Sequence, residues 1–411
     1  MRLIGVRHRV KKTAKGEARP TMVAIKDGDR TVVHELADDQ AELDFLLHLF
    51  PIAWRPAVEG DNPSLYRSRH CKWKKDKESG AEVLAQVPVE FEGLISDDTV
   101  LMSLGGSGDR FAAALSRRGE EVEAKVCRLP PFSLKELRGE VGKDDDHLNL
   151  IRIFETQPDV FREMTPRDRA LIRVREAYFA RQEVQRARIG CEQRLRQQFI
   201  GTIFLSEEGR YPEGEVEALF DAAKANDKVF QGLLAEEKQR DRDLKVVVHA
   251  LSVWKIFEGV EGAGVAIAAG IISAVGDIRL FANEKKLKAF CGVHVLSDGR
   301  IPRRRSGQVA NWSPRAKQAL YLLADQFNRR PDSDWGKKLR EYKVKLRAKH
   351  PEPILVSSDP SDPNSKKVKR YTDGHIHKMA LWRTVTKFVE WLYREWSKLE
   401  RETSTPALIP S

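Results

Sequence analysis

From Pro166 through residue 200 the chain runs without another proline, and Thr165-Pro166 opens the run as a cap followed by proline in the first helical turn. A stretch of this kind specifies one long helix in the middle of the chain. It carries nine arginines against four acids. A second helical pattern follows over residues 213–257, with Val216, Leu219, Phe220 and Ala223 on one face, then Leu233 and Leu234, then Leu244, Val247, Val248 and Leu251. The two patterns predict an antiparallel, all-α coil over residues 165–256 that projects or bridges between domains. A helical subdomain with a solvated charged face is the blander expectation for any such charge run.

Before the coil, the pattern is α/β. Residues 2–10, 21–25 and 31–35 alternate as strands, with Asp27-Gly28-Asp29 as a tight turn, and an amphipathic helix is expected over 39–50. Residues 51–80 are rich in Pro, Gly, Lys and Arg and predict an insertion or mobile loop, set within an insertion near 51–98. A strand at 100–104, a helix through Arg118 closed by Gly119, and a strand at 123–128 imply a parallel pair inside a mixed sheet. The organisation expected is therefore an α/β domain at 1–160, the coil at 165–256, a mainly α domain at 257–400 and a frayed tail at 401–411. No internal repeat stands out.

At 411 residues, two or three units are the better prior than a single core. An apolar content of 41% excludes a wholly disordered chain. The longest apolar run, Val265–Val275, is about half of the ~20 residues a membrane span needs, so no membrane partner is expected. Cys71, Cys127, Cys191 and Cys291 lie far apart with no CxxC, which argues against a disulfide framework or a zinc finger. The first 15 residues are basic and lack the apolar stretch of a secretory signal, so a reducing, cytoplasmic setting is expected. Seventy-two Lys and Arg against 61 acids give a net charge of +11, which points to a polyanion, most simply nucleic acid.

The basic residues of the last third are clustered. Between Ser297 and Lys317 stand six basic residues (Arg300, Arg303, Arg304, Arg305, Arg315, Lys317) and one acid. Residues 335–350 add seven against one, and 366–370 add four. Trp312, Tyr321, Phe327, Trp335 and Tyr342 are interleaved, as phosphate tracking with base stacking requires, although some of these aromatics are expected in the core. Upstream, Gly259, Gly262 and Gly264 punctuate a turn between two helical patterns, the form of a helix-hairpin-helix. Its glycines either bring backbone N–H groups to a phosphate at a helix N-terminus or simply let small-residue helices pack closely, and the two are compatible. Ser297, in a Gly-containing turn ringed by arginines, is a candidate attacking hydroxyl, against the plainer role of a turn serine. The stripe Trp382, Val385, Val389, Leu392 and Trp396 predicts a core face or a dimer seam.

These pieces, in order, resemble the C-terminal domain of the bacterial insertion-sequence transposases numbered one hundred and ten. The matching residues are Gly259-Val260-Glu261-Gly262, Val275-Gly276-Asp277, Phe281 with residues 285–290, Cys291-Gly292, Ser297-Asp298-Gly299, Arg303-Arg304-Arg305 and residues 317–321, with residues 335–340 and 374–380 like the family's tail. The resemblance implies an RNase H-like (RuvC-like) α/β domain with four carboxylates holding Mg²⁺, joined by a coil to a transposase domain. It implies recombination of double-stranded DNA by a homodimer or tetramer, with a structured guide RNA. Ser297 would be the nucleophile, with Ser306 second choice, and Arg300 and Arg303 to Arg305 would stabilise charge on phosphate.

The acidic set departs from the family. Strand one ends Gly5-Val6-Arg7, with an arginine in the place of the first carboxylate, and the second acid is absent from Met102-Ser103-Leu104-Gly105. The third motif is Asp146-His147-Leu148-Asn149, one acid and one amide. Such a pair makes a poor Mg²⁺ site, since several anionic oxygens must converge at about 2.0–2.1 Å. Asp144, Asp145 and Asp109 are the acids near enough in sequence to compensate, and 144–146 equally suits a helix-start cluster. Two further readings therefore stand beside transposase: a descendant that binds nucleic acid without cutting it, and an architectural binder of DNA junctions.

Overall fold

The computed structural model describes residues 1–9, 19–76, 80–103, 105–106, 108–209, 211–296, 301–303, 307, 310–357 and 367–404. The chain divides into two compact units, Met1–Arg169 and Ala170–Ser411.

The first unit is mixed α/β. Its elements are β1 (Leu3–Arg7), β2 (Thr21–Asp27), β3 (Arg30–Leu36), α1 (Asp39–Leu46), β4 (Phe50–Pro56), β5 (Lys72–Lys75), β6 (Glu82–Glu92), β7 (Thr99–Ser103), α2 (Asp109–Val122), β8 (Lys125–Leu129), α3 (Pro131–Arg138), α4 (Asp146–Thr156) and β9 (Arg162–Glu163). Six strands form one sheet in the order β3-β2-β1-β7-β8-β9. The β1–β7 and β7–β8 pairs are parallel; β1–β2, β2–β3 and β8–β9 are antiparallel. The central strands are near-continuous apolar runs because both faces are covered, and Ile4, Val6, Val100, Leu101 and Met102 are all buried.

Two local expectations are corrected here. Within the stretch expected as an insertion or mobile loop, β4 and β5 pair with β6 in a separate antiparallel sheet with β6 in the middle. Pro51 and Pro56 are tolerated because β4 is an edge strand, where a missing N–H breaks no ladder. Nor does Gly119 close α2. The helix continues to Val122 and stops at Glu123, which takes the left-handed conformation (φ 63°). Gly119 is instead required by packing, since a Cβ there would lie 2.5 Å from the Ala124 carbonyl oxygen.

The second unit is mostly helical: α5 (Pro166–Phe204, which begins in the first unit), α6 (Val216–Asn226), α7 (Lys228–His249), α8 (Trp254–Glu258), α9 (Val265–Val275), α10 (Glu284–Phe290), α11 (Pro314–Arg329), α12 (Asp334–Lys349), the hairpin β10 (Ile354–Ser357) with β11 (Lys367–Arg370), and α13 (Asp373–Ser404). The pattern expected as one helix over 213–257 is three. Asp227 interrupts it by capping α7, accepting from the Phe230 N–H at 2.7 Å, and turns at 250–253 separate α7 from α8. The antiparallel pairing of α5 with α6 and α7 is held by ions: Arg181 to Asp241 (2.8 Å), Arg188 to Glu237, Lys224 to Glu192 (3.1 Å) and Arg196 to Glu217 (2.5 Å). Solvent screens exposed pairs of this kind, so the apolar contacts of Phe220, Phe230, Leu244 and Val248 carry most of the association.

The α13 stripe lies in this unit's own core. Val385, Phe388, Val389, Leu392 and Trp396 pack with α9, α11 and α12, and the buried Trp396 Nε1 donates to Glu400 at 3.0 Å. All four cysteines are free. No helix among the described residues is long and apolar enough to cross a membrane.

The α4–β1 contact sets a tight steric limit in the first unit. A Cβ on Gly5 would stand 1.8 Å from the His147 carbonyl oxygen. Gly5→Ala is therefore expected to lower stability by about 3 kcal/mol, the upper range for overpacking. Urea unfolding followed by circular dichroism checks this; an unchanged midpoint would show that α4 does not sit on β1.

Candidate functional site

In an open α/β sheet, ligands bind outside the carboxyl ends of the strands where the strand order changes direction. Here that place is the end of β1, which has antiparallel β2 on one side and parallel β7 on the other. Arg7 and Ser103 close the two parallel strands side by side, because Val6 pairs with Met102 in the register just before them. Gly5 lets α4 approach β1 at backbone contact, which brings the first turn of α4 to the same place. The result is a cleft of about 250 Å³ whose polar lining is Arg7, His8, Arg19, Ser103, Lys143, Asp144 and Asp146.

The acids of this cleft are already engaged. Both oxygens of Asp146 accept from Arg138 Nη1, at 2.7 and 2.8 Å, and Arg138 is itself buried. Asp144 is paired with Arg19. Asp109 is buried and holds the β7–α2 turn, accepting from the Gly105 N–H at 2.8 Å and the Gly106 N–H at 3.4 Å, so it does not complete a ligand set. Asn149 is buried with Nδ2 unpartnered, while its Oδ1 has only a long 3.5 Å contact from Arg152.

The cations differ from one another. Arg138, Arg118 and Arg128 have unpartnered Nε atoms, but the Nη atoms of each hold a carboxylate. Arg7 has its buried Nε unpartnered and no hydrogen bond or ion pair among the described residues. Burial pushes its pKa below the ordinary arginine value, against the pull of Asp144, and an arginine so displaced still stays charged. His147, buried on α4, has its pKa pushed down by burial and then by Arg7.

The donor set does not fit the Mg²⁺ that the family resemblance implies. It offers two aspartates, Asp144 and Asp146, each paired with an arginine, beside a serine and the Arg7 guanidinium, where a magnesium ion needs converging anionic oxygens. Among the described residues, no three His, Cys, Asp or Glu side chains are grouped to hold a metal ion.

In the second unit, the glycine turn has divided roles. Gly262 has φ 91° and packs on α11, where a Cβ would meet the Gln326 Cβ at 2.7 Å. Gly259 and Gly264 are exposed with open space around them, and Gly264 caps α9 without a side-chain hydrogen bond. Close packing and an open helix start thus occur at different glycines of one turn. Ser297, Arg300, Arg304, Arg305 and Ser306 lie outside the described residues; Arg303 is exposed. Arg315 stacks its guanidinium 4.5 Å from the Phe179 ring centre. Lys317 lies between Trp312 (4.9 Å) and Trp382 (5.2 Å) and donates to the Pro302 carbonyl, so it positions that segment; burial, then Arg303, lowers its pKa. Phe327 and Trp335 are core residues stacked at 5.8 Å, whereas Tyr321 is exposed. Lys337, Lys338, Lys345 and Lys349 line the open face of α12.

Sequence reasoning passed over Arg138, His147 and a cluster on Asp44. That buried carboxylate accepts from Arg67 (2.8 Å), Arg69 (3.0 Å) and His70 (2.6 Å), fastening α1 to the small sheet. No motif marks Arg138 or the Asp44 cluster, because their partners are 8 to 26 residues away in the chain. No family model matches this chain, and no curated protein matches it.

His147 makes stability depend on pH with a definite sign. Its pKa lies lower in the fold than in the unfolded chain, so stability is full above the ordinary value of 6.5 and falls as pH drops below it. Replacing it, as in His147→Gln, should remove up to about 1.4 kcal/mol per pH unit of that slope. Urea midpoints between pH 7.5 and pH 5 read the effect; His34, whose pKa burial also lowers, keeps a residual slope in the variant.

Proposed function

We propose that this chain is a nucleic-acid-binding homologue of the insertion-sequence transposases numbered one hundred and ten, whose RNase H-like first unit binds the phosphodiester backbone without metal-dependent hydrolysis. The observation that carries this reading is the inversion of charge at the end of β1. Arg7 stands where the resemblance puts the first carboxylate, and the remaining acid, Asp146, is occupied by Arg138. The strand order, with a parallel pair beside an antiparallel meander and α4 laid across β1, is compatible with the RNase H-like fold that the resemblance implies. The exposed lysines of α12 and the open start of α9 give the second unit a cationic surface for phosphates. Duplex DNA and a structured RNA are the partners this reading carries, with a dimer or tetramer if two duplexes are brought together.

Cutting and rejoining of strands through Ser297, with Arg300 and Arg303 to Arg305 on the phosphate, is the competing reading, and one set of assays decides between them. Binding to duplex DNA followed by fluorescence anisotropy should weaken about 100-fold between roughly 50 and 200 mM salt, as expected for four or more phosphate contacts. Incubation with Mg²⁺ should give neither cleavage nor a covalent protein–DNA adduct. An adduct lost in Ser297→Ala would establish the competing reading, and Mg²⁺-dependent cleavage lost in Asp146→Ala would overturn the proposal.

A further inference from the structure

We propose that the cleft at the carboxyl ends of β1 and β7 is a metal-free phosphate site, in which the Arg7 guanidinium stands in for a divalent cation and grips a phosphate of a nucleic-acid strand. The inference rests on the nucleic-acid reading above and adds the place and the residue that make the contact.

A buried, charged donor without an acceptor costs more than the roughly 1–3 kcal/mol of a neutral one, so such a group in a native protein calls for a partner. Arg7 is half-buried, with its Nε buried and without an acceptor among the described residues, and its side chain lines a cleft, not packed core. An arginine presents paired donors in a planar fork, which matches the oxygens of a phosphate and not a metal ion.

The charge in the walls favours the same occupant. Asp146 is neutralised by Arg138 and Asp144 by Arg19, so neither presents an uncompensated negative charge to an incoming anion. Arg7 and Lys143 remain as cations on the lining, beside His8. The exposed Asp145 is the one further acid that acts on Arg7, and it lies outside the lining. Ser103 brings a hydroxyl to the lining, and the first turn of α4 begins there without a side-chain cap.

The space agrees. At about 250 Å³ the cleft is smaller than typical small-molecule pockets of roughly 300–1,000 Å³, and suits a phosphate with its sugar more than a free base or a duplex. In a two-metal nuclease, carboxylates hold a cation and the cation holds the phosphate. Exchanging the first carboxylate for an arginine removes the need for the intermediary: the protein supplies the positive charge itself.

The test uses the full chain and inorganic phosphate, titrated calorimetrically without metal. Arg7→Gln should weaken phosphate binding by about tenfold or more, the range for a charge-assisted hydrogen bond, and Arg7→Lys by less. Lys143→Gln, at an exposed position that cannot endanger folding, should weaken it by a smaller factor. Arg7→Asp, which reverses the charge at the end of β1, should lose phosphate binding. Oligonucleotides with a 5′-phosphate or a 5′-hydroxyl distinguish a strand end from an internal phosphodiester. Equal phosphate affinity in the unaltered chain, Arg7→Gln and Lys143→Gln would overturn the inference, as would phosphate binding that requires Mn²⁺. If DNA binding stays salt-dependent in that case, the broader reading stands; if the chain binds no nucleic acid while Arg7-dependent phosphate binding persists, the broader reading is what fails.

Discussion

The carbonyl oxygen of His147 occupies the space a side chain at residue 5 would need. Because Gly5 has none, α4 lies directly on β1, and three otherwise distant parts of the chain meet at the end of that strand. Arg7 arrives from β1, Ser103 from β7 and Asp146 from α4. The electrostatics of the first unit follow from this approach. Arg138, at the end of α3, comes within reach of Asp146, and His147 is buried beside Arg7 and loses proton affinity.

The same contact explains how a fold can keep its shape while its site changes sign. Packing of α4 on β1 depends on Gly5, Leu150, Ile151 and Ile153, none of which takes part in the polar chemistry of the cleft. The groups that line the opening can therefore change from acidic to basic without disturbing the layer beneath. Carboxylates that bind a cation and a guanidinium that binds an anion are alternative ways of holding a phosphate in one place, and the sheet geometry supports either.

The second unit is organised by a different constraint. Its glycines and alanines let α9 sit close to α5 and α11, and Gly270 would meet the Tyr178 hydroxyl at 2.8 Å if it bore a Cβ. Positive charge is left for the periphery. Three arginines of α5, Arg181, Arg188 and Arg196, are turned to ion pairs with α6 and α7, so that share of the helix's positive charge serves as scaffold. Lys317 is likewise drawn inward by two tryptophans and a carbonyl. Lys337, Lys338, Lys345 and Lys349 of α12 stay in solvent because Trp335, Leu339 and Leu346, on the opposite face of the same helix, are buried.

The sequence by itself determined the long helix after Pro166, the strand–turn–strand at Gly28, the parallel pair of β7 and β8, the glycine turn before α9 and the absence of an acid at residue 7. These are set by local rules: capping, turn chemistry, periodicity and residue identity. Only the tertiary structure decided that β4 and β5 join β6 in a sheet, that one helical pattern breaks at Asp227, and that Asp109 and Lys317 face inward. It alone decided that Asp146 is held by Arg138 while Arg7 is left without a partner among the described residues. Pairing of charges depends on which elements meet in space, and a one-dimensional pattern carries each residue's charge but not the neighbour that neutralises it.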